Sequence, residues 1–440
     1  MIPPRIKNAA FVLEGMNSVF VTLYFYFIFW FLKSEYGFGS RENLLWAVGN
    51  GFVYVIGSIQ GGRFGQRKGY LRALRVGFAG LSVCLFLGWL LNRAGLSHPV
   101  EIPLQALVMV LATVFVCFTW PNLEALVSEG EPPARIQRLI GIYNLVWSGA
   151  GAAAYFAGGA LIQAFGAKNI VLLVPAVGIG IQYFMVRRLS QKVGDLIPAA
   201  AAGHAHAHAH AHSPTGAASA AVSGPGLDHA RPAPRRSPIP PRVFLLMSWI
   251  ANPCAYVAIN AAIPLIPTLA ERLGLDTRLA GFFCSIWLFT RTATFLGLWR
   301  WNGWHYSFRW LGAAYLGTIV GFLFLFLAAA FPGLDRTYAL LVSTAAQIVF
   351  GIGIGLIYYS SLFYSMDVGD TKGDHGGIHE AAIGAGILGG PLVGALADYA
   401  HPGSATAPAW AVSAVLLVGF GVLSVMRFRS VRSVRSVRSV

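Results

Sequence analysis

Long apolar runs alternate with short polar stretches along the whole chain. A helix needs roughly 20 apolar residues to cross about 30 Å of hydrocarbon. Runs of that length fall near 9–32, 44–61, 74–91, 103–123, 139–165 and 169–186, then near 243–266, 279–299, 310–331, 338–362, 379–399 and 407–427. The pattern predicts an all-α polytopic membrane protein of about 12 transmembrane helices, six plus six. Between the two sets, residues 187–242 are rich in Ala, Pro, Gly, Ser and His, with His at alternate positions from His204 to His212. Such a stretch cannot bury a core and reads as a flexible linker. The expected domains are a six-helix bundle over 1–186, the linker over 187–242, a second bundle over 243–428 and a basic Arg-Ser-Val tail over 429–440.

Polar residues inside the runs are candidates for function, because a charge at a helix centre in the bilayer costs about 2.5–3.5 kcal/mol. Glu14 and Asn17 lie three apart on one face of the first run, and the same turns lead to Tyr24. Asn50 and Tyr54 lie four apart in the second run, and Asn144 and Trp147 three apart in the fifth. Asn260 and Gln347 are polar positions in the seventh and tenth, and Arg291 in the eighth is the only basic residue well inside a run. Glu14, Glu124, Glu380 and Asp398 are the carboxylates that could exchange a proton, and Arg291–Glu380 is a candidate ion pair. A faint repeat runs through the chain: Gly141-Ile-Tyr-Asn144 opens the fifth run as Gly377-Ile-His-Glu380 opens the eleventh, so Asn144 answers Glu380. Two matched halves of six helices place a binding site near the bilayer midplane between them.

Composition agrees with lipid as the solvent. The chain is 56% hydrophobic and 11% charged, against about 25% charged for a soluble domain. Its net charge of +15 does not point to nucleic acid, because the basic residues lie scattered between apolar runs. Of 32 Lys and Arg, 24 fall in even-numbered loops and the termini and only seven in odd-numbered loops. That asymmetry predicts a plasma (inner) membrane protein with both termini and the linker cytoplasmic. Cys84, Cys117, Cys254 and Cys284 lie in apolar runs without metal-ligand spacing and read as small buried hydrophobes. No cofactor or metal is expected, and the His tract reads as linker. No small-residue cleavage site follows the first run, which is expected to be a retained span.

The loop between the second and third runs reads Gly61-Gly62-Arg63-Phe64-Gly65-Gln66-Arg67-Lys68-Gly69-Tyr70-Leu71-Arg72. It resembles the loop motif of the major facilitator superfamily, roughly Gly-x-x-x-Asp-Arg-x-Gly-Arg-Arg. Gly62, Arg67 and Gly69 match, while Gln66 stands where the family has Asp and Tyr70 where it usually has a basic residue. The resemblance implies two bundles with spans one, four, seven and ten lining a cavity and spans two, five, eight and eleven flanking it. It also implies a loop that locks the halves together on the cytoplasmic side, here without its acid. The segment Gly384–Gly394 is similar to the Gly-Pro motif of proton-coupled exporters, though in the other half of the chain, and is read as close helix packing with a proline kink.

The expected function is secondary active transport of a small organic solute by alternating access, with a proton as the candidate coupling ion. The expected partners are that solute and the lipid bilayer, with no nucleic acid, and a monomer is expected. The alternatives are a receptor or scaffold with a transporter-like fold, and a membrane-embedded enzyme built on His379-Glu380. No second His at metal-protease spacing supports the enzyme, and no phosphate-cradling Gly-rich loop supports ATP drive.

Overall fold

The computed structural model describes the backbone of residues 4–131, 133–196, 239–331, 333–368 and 372–438, and the side chains of all of these except 4, 133–134, 136–137, 366, 372–381 and 433–438. The His tract and the side chains of His379 and Glu380 lie outside the described residues. Among the described residues every regular element is helical. Twelve spans are long and apolar enough to cross a membrane. They are α1 (Arg5–Tyr36), α2 (Ser40–Lys68), α3 (Tyr70–Arg93), α4 (His98–Ser128), α5 (Arg138–Phe165), α6 (Asn169–Val193), α7 (Pro241–Arg272), α8 (Thr277–Arg300), α9 (Phe308–Ala330), α10 (Arg336–Ser365), α11 (Ala382–Ala400) and α12 (Ala407–Arg432). The α12 helix continues through the Arg-Ser-Val repeat to Arg438 instead of ending before it. Large apolar side chains such as Phe52, Phe184, Leu341 and Val418 stand exposed. Such a surface suits acyl chains and would be costly in water.

Three spans are interrupted, and α4 shows why. Pro121 has no N–H to give the Cys117 carbonyl, and its ring crowds the same group. The helix stops at Val116 and restarts at Trp120. The opened turn is held by side chains: Thr119 Oγ1 donates to Val116 O at 2.7 Å, and Asn122 Nδ2 donates to Phe118 O and Gly61 O. The partner surface on α2 is a glycine row, Gly57, Gly61 and Gly65. A Cβ on Gly61 would collide with the Cys117 carbonyl, and one on Gly65 with the Asn122 amide. Breaks also fall in α1 between Phe25 and Ile28 and in α8 between Cys284 and Ile286.

Twelve passes bring the start of α1, the connection from α6 to α7 and the end of α12 to one end of the bundle, the terminal end. The opposite face is the far end. The halves meet most extensively along two helix pairs, α2 with α11 and α5 with α8, and also where α1 and α2 touch α7. Glycine makes both approaches close. A Cβ on Gly51 would sit 2.6 Å from the Leu388 backbone, and one on Gly281 3.0 Å from the Gly159 nitrogen. Gly386 and Gly390 of α11 are pressed against the α7 backbone, so the Gly384–Gly394 segment does pack helices closely.

The loop from α2 to α3 turns at Gly69, whose φ of 98° suits only glycine. Its described contacts stay in the same half: Tyr70 Oη donates to Glu129 Oε2 at 3.0 Å after the end of α4, and the others run to the end of α6. Leu71 N donates to Asp195 O at 3.2 Å, and Arg75 Nη2 and Ser190 Oγ both donate to Asp195 Oδ1 at 2.8 Å. Asp195 therefore supplies an acid to a loop that carries Gln66 where the resemblance expects one. Gln66 and Arg67 are exposed, and Gly62 has no atom within 3.4 Å of a would-be Cβ.

Candidate functional site

Side chains spaced one helical turn apart build a cavity between the halves. From α2 come Trp46, Asn50 and Tyr54, and from α5 Tyr143, Trp147 and Gly151. From α1 come Glu14, Ser18 and Thr22, then Phe25 and Tyr26 at the break. The second half adds Tyr256 and Asn260 of α7, Arg291 of α8, Tyr358 of α10 and Ile387 of α11. No lining residue comes from α3, α6, α9 or α12. About 180 Å³ is open to the centre of a water molecule. At 10–15 Å³ per water, that is room for a small organic solute and not for a polymer.

Three charged residues line the cavity among the described residues: Glu14, Glu124 and Arg291. Glu14 is fully buried, accepts from Ser18 Oγ at 3.0 Å on Oε1, and leaves Oε2 without a partner. Tyr143, Trp120 and Glu124 surround it, so two carboxyls share one corner of the cavity. Arg291 is 6% exposed. Its guanidinium carbon lies 4.6 Å from the Trp147 ring centre and 5.3 Å from that of Trp287, with the Tyr26 side chain beside it. Two indole faces offset part of the cost of burying a cation. Even so, Arg291 makes no ion pair among the described residues, and its buried Nε has no hydrogen-bond partner.

Of the residues singled out from the sequence, Glu14, Tyr24, Asn50, Tyr54, Trp147, Asn260 and Arg291 come together on this cavity. Asn50 Oδ1 accepts from Thr113 Oγ1 at 2.5 Å, and Asn260 Nδ2 donates to Tyr256 O at 2.9 Å. Asn144 lies instead on a second opening at the terminal end, with Arg138, Asn302, His305 and Tyr359, and accepts from Trp147 Nε1 at 2.9 Å. Asn17 and Gln347 line neither cavity; both are buried, with both amide atoms unpartnered. The candidate pair Arg291–Glu380 falls outside the described side chains. Sequence reasoning missed Trp287 and Tyr143 and named Tyr358 only among the aromatics that close span ten, and these three frame the charged residues. Trp287 lies four positions before Arg291 and Tyr143 next to Asn144, spacings that many core aromatics also show, and Tyr358 has no polar candidate near it in span ten. Among the described residues no cluster of His, Cys, Asp or Glu could hold a metal ion.

The two ends differ. At the far end the halves are tied by ion pairs, Lys33 with Glu271 and Arg41 Nε with Asp398 Oδ2 at 2.9 Å. Ser40 Oγ donates to Thr268 Oγ1, and Asn43 Nδ2 to Pro264 O, across the same seam. At the terminal end the described ion pairs stay within the first half: Lys7 with Glu131, Arg135 with Glu131 and Arg75 with Asp195.

The sequence matches the Major Facilitator Superfamily over residues 10–391. No curated protein matches it. Among solved structures, a variant of the nucleoside transporter NupG superposes with a TM-score of 0.61 at 12% identity, over 97% of this chain and 98% of that one. An outward-facing bacterial homologue of the iron transporter ferroportin, soaked with iron, gives 0.60 at 12% identity, over 96% and 99%. An inward-facing, unoccupied bacterial homologue of the human lysosomal transporter Spinster gives 0.60 at 12% identity, over 99% of both chains. At such identity these likenesses carry the fold and not the solute. The cavity lies where the two halves meet, spans one, four, seven and ten line it together with the four spans expected only to flank it, and the match covers most of the length: this chain belongs to the Major Facilitator Superfamily, and it is a multi-pass membrane transporter of a small-molecule solute.

Proposed function

We propose that the chain is a secondary active transporter that moves a small organic solute by alternating access, coupled to a proton exchanged at the Glu14–Glu124 pair. The observation that carries this reading is a cavity at the seam of two six-helix halves whose charged residues are two adjacent carboxyls and one arginine. Glu14, Tyr24, Asn50, Tyr54, Trp147, Asn260 and Arg291 form the solute and proton pathway. The excess of basic residues at the terminal end supports a cytoplasmic position for that end, and the protein is read as a monomer of the plasma (inner) membrane. The far end then faces outward, and the described state is closed on that side by the Lys33–Glu271 and Arg41–Asp398 pairs.

Proteoliposomes test this directly. A panel of amino acids, sugars, nucleosides, organic acids and amines is offered with and without an imposed pH gradient. The gradient should drive accumulation of at least one class. Glu14→Gln should abolish the response to the gradient while leaving solute exchange at equal pH intact. Uptake by the wild type that ignores the gradient removes the proton from the mechanism. Gradient-driven uptake that survives in Glu14→Gln removes that residue.

A further inference from the structure

We infer that the solute is an organic anion whose oxyanion group docks on Arg291 and whose apolar body lies against Trp147, Tyr256 and Tyr358. The inference rests on the transport reading above and names the chemical class that the same cavity takes. Three features of Arg291 carry it. It is the only cation on the lining, nine-tenths buried and without a carboxylate partner among the described residues. The rings of Trp147 and Trp287 lie 4.6 and 5.3 Å from its guanidinium carbon and offer its N–H groups no acceptor, and the side chain beside it that can hydrogen-bond, Tyr26, is neutral. Its Nε has no hydrogen-bond partner. A planar fork of donors flanked by two indole rings, with an N–H unspent, matches the two oxygens of a carboxylate or phosphonate, the geometry in which arginine binds most strongly.

The rest of the lining fits an anion attached to an apolar body. Trp147 packs against Phe295 and Tyr358 at ring-centre distances of 5.9 and 5.6 Å, and Tyr256 lies 6.3 Å from Tyr358. This aromatic wall begins directly beside the guanidinium. The carboxyls stand apart from it. Tyr143, next to Glu14, and Trp147, beneath Arg291, are four residues apart on α5, about 6 Å along the helix axis. An oxyanion on Arg291 is therefore about one helical turn from Glu14 and Glu124 but inside the same cavity. Its charge favours a proton on that pair, so solute and proton should load together. A cationic solute would meet the opposite arrangement, with its charge drawn to the carboxyls and Arg291 left unpaired.

The test is a binding experiment on the purified full chain in detergent, which needs no sealed compartment. Phenylacetate, phenylphosphonate, phenylacetamide and phenethylamine share a phenyl ring and differ in the head group, two oxyanions, a neutral amide and a cation. Each is titrated by intrinsic tryptophan fluorescence, with thermal stabilisation as a second readout. Phenylacetate or phenylphosphonate should bind in preference to the amide and the amine, and the stronger of the two identifies a carbon or phosphorus oxyanion. Arg291→Ala should weaken that binding by about thirtyfold or more, as expected for removing one member of a buried charge pair. Arg291→Lys, which keeps the charge, should retain the preference at lower affinity. Preference for the amine, undiminished anion binding in Arg291→Ala, loss of the preference in Arg291→Lys, or binding of none of the four overturns the inference. The transport reading fails separately. Arg291-dependent anion binding without uptake into vesicles refutes transport alone, whereas gradient-driven uptake of amines refutes the anion alone.

Discussion

Lys7 shows how far a single residue departs from what its type suggests. In the sequence it is one of many cations expected at the cytoplasmic end of the chain. In the fold it is 5% exposed and donates to Val127 O, Glu129 O and Glu131 Oε1 at 3.2, 3.1 and 2.6 Å, tying the start of α1 to the loop after α4. That hydrogen bond from Lys7 holds the Glu131 carboxyl below the usual carboxylate range. A depressed carboxyl contributes stability that is complete above its unfolded value, about 4.3. The contribution is lost as pH falls through the lower folded value. Melting curves of the detergent-solubilised protein should therefore lose stability on the acid side of about pH 4, and Glu131→Gln should remove that component while lowering stability at neutral pH. Equal acid sensitivity in both proteins defeats the assignment. The cavity residues were legible in the sequence because lipid makes an ionisable group such as Glu14 or Arg291 conspicuous against apolar neighbours. Asn17 and Gln347 were equally conspicuous, yet neither lines a cavity. Helical spacing states which residues share a face but not which neighbour that face meets.

At the scale of elements, the count of helices was written in the sequence and their internal breaks were not. Twelve apolar runs predict twelve spans because each must supply its own backbone hydrogen bonds in lipid. The break in α4 depends on where a proline meets another helix. Pro121 opens the helix, and the Cys117 carbonyl beside the opening lies against Gly61 of α2. The motif comparison selects the neighbouring glycine, Gly62, where a Cβ would meet only the Pro121 side chain, at 3.9 Å. Gly61→Ala should destabilise the protein by about 1–3 kcal/mol through overpacking, because backbone cannot rotate away as a side chain can. Gly62→Ala should change stability by no more than about 0.5 kcal/mol. Chemical unfolding in mixed micelles compares the two, and similar losses for both would mean that the α2–α4 contact is not the one described. The same reasoning explains why the small-residue run of α11 reads correctly as packing: its glycines face backbone on α7 and, through Leu388, on α2.

For the whole molecule, the two kinds of contact between halves have different strengths, and the difference tells which can open. Backbone approaches at Gly51–Leu388 and Gly159–Gly281 bring helices together over several turns. The far-end ties are ion pairs with solvent-exposed members. Lys33 and Glu271 side chains are 30% and 68% exposed, and Arg41 and Asp398 are 38% and 11% exposed. Exposed pairs contribute about 0.2–1 kcal/mol each. Breaking both should raise the far-end-open population by at most about thirtyfold, since 1.4 kcal/mol is a factor of ten. That is enough to bias a two-state equilibrium without unfolding either bundle. A cysteine introduced at the cavity residue Ile263, with the four native cysteines replaced, reports the change through a membrane-impermeant maleimide applied to the far side of sealed vesicles. Lys33→Ala with Arg41→Ala should speed its labelling several-fold, and raised ionic strength should speed the parent protein in the same direction. Exchanging one pair, Arg41→Asp with Asp398→Arg, should return labelling toward the parent rate. If labelling does not change when both pairs are removed, the halves are held by their glycine-packed seams alone, and the salt bridges are not the closure of the far side.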